Sequence, residues 1–211
     1  MRAFLKNIWK EFMLLVFPIN CAGCSKWDLS ICPSCMRAIN KSPFLSDRFP
    51  IWVANIYALP IRPIILQWKD HGRSDLDSVM KKRIINSFEA GFGKENKNLT
   101  LVPIPSSKKM TKSRGFSQTL LLAQALENRF PGVRVSELLF KKGSAAAHKT
   151  AKKLSRNAEF IFNEKAKCSR DYPIVLIDDV LTTGGTYEKC KTRLEEKGFQ
   201  VLGAAVIAEA G

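Results

Sequence analysis

No apolar run among the 211 residues approaches the ~20 needed to cross a bilayer, so nothing here reads as a membrane-spanning helix. Acidic side chains are scarce: 19 Asp+Glu stand against 34 Lys+Arg, a net charge of +15. That excess says little about fold but points to a polyanionic partner such as nucleic acid, a phosphate-rich ligand or an anionic membrane surface. A secreted disulfide framework is missing too. The six cysteines, at 21, 24, 32, 35, 168 and 190, form two close pairs and two strays. Neither a Walker A loop nor a G-x-G-x-x-G turn is found, and no Ser/His/Asp hydrolase pattern or glycosidase pair of acids appears. Histidine is reduced to His71 and His148, which have no motif around them and read as surface or packing residues.

What is present is ordinary for a folded domain: 45% apolar and 25% charged residues, long enough for one full domain plus a small module. Disordered tails, collagen-like fibres and disulfide-stapled miniatures are excluded. At the N-terminus, Arg2, Lys6 and Lys10 ahead of Phe12–Phe17 imitate a signal peptide. However, Glu11 and Pro18 hold the apolar run to six residues, and no small-x-small cleavage site follows. Leu5, Ile8, Trp9, Phe12 and Leu15 instead share one helical face. The expectation is a helix packed against the body, the alternative a surface for a membrane or a partner. A cytoplasmic location follows, either free or peripheral at the inner membrane.

Residues 1–50 form a cysteine module bounded by Pro43 and Pro50, and 51–211 the main domain. Ile51–Leu59 reads as a strand, with a helix from Pro63 to Lys69 and another capped by Asp75 or Asp77 and ending near Gly91. Leu99–Ile104 is a strand running into Pro105-Ser106-Ser107. Ser117 caps a helix closed by Pro131-Gly132, and Val133–Phe140 is a further strand. Ile174–Ile177 is a buried strand, Thr186–Lys197 a helix stopped by Gly198, and Val201–Ile207 the next strand. This alternation predicts a parallel α/β sheet.

Cys21-Ala22-Gly23-Cys24 and Cys32-Pro33-Ser34-Cys35 are two C-x-x-C knuckles seven residues apart. Four thiolates at that spacing favour a closed tetrahedral zinc shell at Cys21, Cys24, Cys32 and Cys35, with disulfides or an iron–sulfur centre as weaker alternatives. Such an ion is structural: no coordination position stays open for catalysis, and its role is to fold a segment too short for its own core. Cys168 and Cys190 read as core residues rather than ligands.

The sharpest signal is Ile174-Val-Leu-Ile-Asp-Asp-Val-Leu-Thr-Thr-Gly-Gly-Thr186. A buried parallel strand delivers Asp178 and Asp179 to its carboxyl edge, where open α/β sheets bind ligands. Val180, Leu181, Thr182, Thr183, Gly184, Gly185 and Thr186 lead into a helix N-terminus. There backbone N–H groups and hydroxyls can surround a phosphate while the carboxylates accept from a ribose diol.

This stretch resembles the phosphoribosyl-diphosphate motif of type I phosphoribosyltransferases at all thirteen positions. Leu101–Pro105, Lys108-Lys109 and Arg114-Gly-Phe-Ser-Gln118 resemble the VPVP…K…RGFNQ pattern of the ComF family of competence-associated proteins, as do Tyr57 and the segment Ile64–Lys69 with Gly72. The four-cysteine module ahead completes that architecture. The resemblance implies a type I phosphoribosyltransferase-like parallel sheet flanked by helices, with residues 51–95 as a hood-like segment. It further implies a role in DNA uptake during natural transformation, alongside other DNA-uptake proteins. Phosphoribosyl diphosphate with Mg²⁺ is the implied ligand or substrate. Asp178, Asp179 and Lys108 are then the candidate catalytic residues, with Ser106, Ser107 and Arg114 at the diphosphate end. The sequence departs from the family at Ser117, where Asn is usual. It departs again in the basic loop His148–Arg156, which lacks the usual glutamine and the later R-x-x-N. That loop corresponds to the lid of type I enzymes.

Residues 101–156 hold twelve Lys/Arg against Glu127 and Glu137, so +10 of the +15 falls in a quarter of the chain. Lys141, Lys142, Lys149, Lys152 and Lys153 are the candidate contacts to single-stranded DNA, bound mainly by charge and without sequence readout. Stacking partners in the stretch are few (Phe116, Phe130, Phe140), with Trp9, Trp27 and Trp52 as further candidates. The alternative function is a phosphoribosyltransferase acting on a small-molecule base or amine with no DNA role, its acceptor unnamed by the sequence.

Overall fold

The computed structural model describes residues 20–27, 29–48, 50–93, 98–106, 117–142, 159–166 and 168–211. The expected N-terminal helix (Leu5, Ile8, Trp9, Phe12, Leu15) and most of the basic loop, His148 included, lie outside them. The chain divides into two compact units, each considered by itself. One gathers the described residues up to Lys41 with Ala58–Asp77; the other gathers Ser42–Tyr57 with Ser78–Gly211.

The larger unit is built on a six-stranded sheet. Strand β1 (Phe44–Leu45) is a two-residue edge, antiparallel to β2 (Ile51–Ile56). Then come β8 (Val201–Glu209), β7 (Ile174–Leu181), β3 (Leu99–Pro103) and β4 (Val133–Val135), all parallel. The central strands are near-continuous aliphatic runs because helices or ribbons cover both faces. Every residue of β3 is buried, as are the first four of β7. The register pins this order: Leu101 opposite Val175, Ile177 opposite Ala205, Val53 opposite Val206.

On one face, helix α5 (Gly185–Glu195) contributes Tyr187, Cys190 and Leu194 to a core shared with Ile51, Val53, Ile104, Leu176 and Val206. Strands β5 (Leu139–Lys141) and β6 (Phe160–Phe162), an antiparallel ribbon, pack Leu139, Phe160 and Phe162 into the same cluster. Helix α4 (Gln118–Arg129) packs against β3, β4 and β7. Its start is set as the sequence predicts: the Ser117 hydroxyl accepts from the Leu120 N–H at 3.4 Å. Helix α3 (Asp77–Phe92) lies along β2 through a buried arginine. Arg83, 2% exposed, donates from Nε to Asn55 Oδ1 at 2.9 Å and from its guanidinium to the Ala54 carbonyl at 2.8 Å. The Ser87 hydroxyl donates to the Trp52 carbonyl at 2.6 Å. Burial of a charge is tolerated here because its donors are met by oxygens of Asn55 and Ala54.

Several expected boundaries move, two of them for a clear physical reason. The segment Val133–Phe140 is not one strand. After Ser136 extends the ladder by donating to the Leu101 carbonyl, the Leu138 N–H bonds back to the Ser136 carbonyl at 3.0 Å. That turn takes the chain out of the sheet and into the β5–β6 ribbon. The strand expected over Ile174–Ile177 continues to Leu181, because its ladder with β8 persists through Leu181 opposite Glu209.

The smaller unit holds helix α1 (Pro33–Ile39) and helix α2 (Ile61–Asp70), which buries Ile61, Ile64, Ile65 and Trp68. Trp68 Nε1 donates to Asp77 Oδ1 at 2.7 Å. Arg73 donates to the Asn20 carbonyl at 2.8 Å and pairs with Asp75 at 2.6 Å, holding the Asp75 carboxyl below its usual range. Among the described residues no helix is long and apolar enough to cross a membrane.

Candidate functional site

Strands β3 and β7 are neighbours, but the chain leaves them in opposite directions. From β3 it passes through α4 to β4 on one side, and from β7 through α5 to β8 on the other. A crevice opens outside the carboxyl ends of two such strands, and ligands bind there in open α/β sheets. The end of β3 is fixed by the Ile104 N–H donating to the Ile177 carbonyl at 2.9 Å, and by the Thr119 hydroxyl donating to the Ile104 carbonyl at 2.9 Å.

At the end of β7, Asp178 is half-buried and Asp179 is 7% exposed. An Asp178 oxygen accepts from the Asp179 N–H at 2.8 Å, which draws one oxygen of the first carboxylate against its own backbone. Thr182 and Thr183 are exposed, and Gly184 takes φ +78° as the residue preceding α5. Only glycine adopts that conformation without strain, and the space around it is open. The loop thereby brings the N–H groups at the start of an eleven-residue helix toward solvent, an arrangement suited to an anion.

One cleft gathers Asp178, Val180, Leu181, Thr182, Gly184 and Thr186 with Ile51, Ile104, Tyr187 and Val206. Ser106 lies instead in a neighbouring recess with Pro105, Ser117, Thr119, Glu137 and Lys141. Ser107, Lys108 and Arg114 lie outside the described residues, as do Lys149, Lys152 and Lys153. Of the other lysines, Lys142 is exposed, whereas Lys141 pairs with Glu159 at 3.1 Å and sits 5.7 Å from the Phe160 ring centre. Lys189 and Lys141 together hold the Glu159 carboxyl below its usual range. Trp52 is half-buried on β2, while Trp27 is 72% exposed. His71 is exposed, Cys190 fully buried and Cys168 half-buried, its sulfur 3.3 Å from the Thr100 hydroxyl.

Tyr187 is a cleft residue that sequence reasoning missed, since an apolar-looking helix position gives no signal. It is 3% exposed, and its hydroxyl finds no hydrogen-bond partner among the described residues. Burial, with Glu188 and Glu195 nearby, pushes its pKa up to about 12.

The four cysteines of the smaller unit converge. Their sulfurs all lie within 4.8 Å of one another, and Cys24 and Cys32 are 3.7 Å apart. Four sulfurs at ~2.3 Å from one ion would stand about 3.8 Å apart, so the set fits a tetrahedral metal. Local backbone makes this possible. Cys21 and Ala22 donate to the Lys26 and Ser30 carbonyls, folding the first knuckle, and Cys32 precedes α1, whose first residue is Pro33. A Cβ on Gly23 would stand 2.8 Å from Cys35 Sγ. Burial raises the Cys21 pKa, but N–H groups of Cys32, Gly23 and Cys24 outweigh it and bring it down to about 6. Burial and the neighbouring thiols push Cys35 up. The donor set is compatible with structural zinc.

Comparison with known proteins bears directly on the larger unit. The sequence profile of the phosphoribosyl transferase domain matches residues 82–211. The chain belongs to the phosphoribosyl transferase family. Two curated proteins are similar over most of its length. One is the competence protein ComFC of Bacillus subtilis (strain 168), 28% identical over 180 residues, covering 84% of this chain and 67% of that one. The other is the competence protein ComFC of Streptococcus pneumoniae (strain ATCC BAA-255 / R6), also 28% identical over 180 residues, covering 85% and 76%. Among solved structures, an adenine phosphoribosyltransferase from Saccharomyces cerevisiae matches with a TM-score of 0.44 and 16% identity, over 84% of this chain and 89% of that one. A four-cysteine cluster together with a phosphoribosyl transferase domain makes the chain ComFC-like.

The buried hydroxyl gives a direct test. Because the folded-state pKa of Tyr187, about 12, exceeds the unfolded value of about 10, its contribution to stability is complete below pH ~10. That contribution is lost as pH rises through about 12. Tyr187→Phe is expected to leave stability at pH 7 unchanged or raise it by up to about 1 kcal/mol, since no partner is lost. It should also abolish the late phenolate component in an absorbance titration. A loss of 2 kcal/mol or more, on the scale of a broken buried hydrogen bond, would mean that the hydroxyl is bonded.

Proposed function

We propose that this protein binds phosphoribosyl diphosphate with Mg²⁺ at the end of β7 and also binds single-stranded DNA. It would act in DNA uptake in the cytoplasm, either free or peripheral at the inner membrane, with its cysteine module folded around zinc. The observation that carries the ligand assignment is the cleft itself: Asp178 and the Thr182–Thr186 loop meet at one strand end. In this reading the loop N–H groups and hydroxyls hold the 5′-phosphate, and Asp178 and Asp179 accept hydrogen bonds from the ribose diol. Mg²⁺, when bound, would neutralise charge on the diphosphate. Ser106, Ser107, Lys108 and Arg114 are assigned to the diphosphate end, the position at which a transferase stabilises its leaving group.

Support for the DNA role is the +10 carried by residues 101–156 and the similarity to two competence proteins. Of the two described lysines in that stretch, Lys142 is exposed and Lys141 half-buried. The second reading, a transferase acting on a small base or amine, draws on the family match over 82–211.

Calorimetry with phosphoribosyl diphosphate and Mg²⁺ tests the ligand. Replacing both Asp178 and Asp179 by Asn should weaken binding by roughly 1.5–3 kcal/mol for each charge-assisted hydrogen bond lost. Undiminished affinity in a folded double variant would refute the assignment, and diphosphate release with an added acceptor would favour the second reading. For the metal, elemental analysis should give one zinc per chain, and Gly23→Ala should reduce that occupancy by crowding Cys35. A folded, metal-free wild-type protein would rule zinc out. For DNA, fluorescence anisotropy of an unstructured oligonucleotide should show affinity falling steeply with salt. Neutralising Lys141, Lys142, Lys149, Lys152 and Lys153 should weaken it further. Indifference to both salt and those changes would remove the DNA role.

A further inference from the structure

Between β1 and β2 lies a short connection whose side chains reach the first peptide of the phosphate loop. Arg48 donates from its guanidinium to the Thr182 carbonyl. Its Nε stands 4.0 Å from Glu209 Oε1, and that same oxygen accepts from the Ser46 hydroxyl at 2.7 Å. The Arg48 N–H in turn donates to the Ser46 hydroxyl at 3.2 Å. Glu209 is itself anchored, since its carbonyl accepts from the Tyr57 N–H and the neighbouring Ala210 N–H donates to the Leu181 carbonyl at 2.8 Å. The guanidinium therefore rests on a fixed carboxylate at the end of β8 while it grips the adjacent strand's loop.

The consequence follows from peptide planarity. In a trans peptide the C=O of one residue and the N–H of the next point in opposite directions. Holding the Thr182 carbonyl toward Arg48 directs the Thr183 N–H away from it. That N–H begins the run that continues through Gly184, whose φ of +78° curves the backbone into a concave set of donors. Nothing else among the described residues is found bonded to the Thr182 oxygen. Without the guanidinium the peptide can flip at small cost, and one donor leaves the anion.

We infer that Arg48 is a positioning residue: it locks the Thr182–Thr183 peptide so that the loop is ready for the phosphate of a phosphoribosyl ligand, with Glu209 holding the guanidinium in place. The inference rests on the ligand reading given above. Arg48 lies far from the phosphoribosyl-diphosphate motif in the chain and belongs to none of the motifs that mark the site.

The test uses the full chain and two probes, phosphoribosyl diphosphate with Mg²⁺ and ribose 5-phosphate, which share the ribose and its 5′-phosphate and differ in the diphosphate. Arg48→Ala should weaken both by about tenfold or more, the scale of one charge-assisted hydrogen bond. Arg48→Lys, which retains one donor for the carbonyl, should recover most of the loss. In the ligand-free protein, the backbone amide resonances of Thr183, Gly184 and Gly185 should shift in Arg48→Ala and return toward wild type in Arg48→Lys, at an unchanged melting temperature. Equal affinity of wild type and Arg48→Ala would overturn the inference. So would weakened binding with unmoved loop amides, which would make Arg48 a direct phosphate contact instead. If the wild type binds neither probe, the ligand reading fails, and the amide shifts still decide separately whether Arg48 sets the loop.

Discussion

Everything at the candidate ligand site depends on β7 being hydrogen-bonded along both edges. With β3 on one side and β8 on the other, its backbone has no freedom to shift register, and a shift of one residue would exchange the faces of Asp178 and Asp179. The aliphatic start of the strand supplies the burial that makes this register costly to leave. Its polar end then needs no further support from propensity. The ladder with β8 alone explains why the strand runs on past Ile177 into residues that read as loop, since that partner offers bonds as far as Glu209.

The parts legible in the sequence are those in which chemistry and local order coincide. The strand, two acids and glycine-bearing turn of 174–186 are contiguous, so one reading yields both fold and site. Ser117 could be named as a helix cap because capping is decided within three residues. The four cysteines announce their convergence through spacing alone. The β4–β5 break was not legible. Ser136 looks like any polar strand residue, and the turn is decided by where the ribbon partner Phe160–Phe162 lies in space. Arg48 and Tyr187 were missed for a related reason. One acts across 134 residues of chain, and the other is an aromatic at a helix position where an apolar side chain is routine.

Charge is arranged differently in the two places where it matters. At Arg83 the guanidinium is buried against neutral oxygens of Asn55 and Ala54, so its worth is structural and insensitive to salt. Around Glu159 the cations Lys141 and Lys189 share one exposed acid, a cluster that salt screens readily. The basic excess of the chain is thus not all available to a polyanion, because part of it is occupied by the few acids present.

The pairing of β2 with β8 has a consequence during synthesis. Ile51 lies opposite Ala204, so the strand that follows the cysteine module is made about 150 residues before its neighbour. At ordinary ribosomal rates that is a wait of roughly 10–30 s. Through that interval one edge of β2 is open, with only the two-residue β1 available on its other side. The early part of the chain is therefore the part most in need of a chaperone's cover, and the thiolate module just ahead of it can close long before the sheet does.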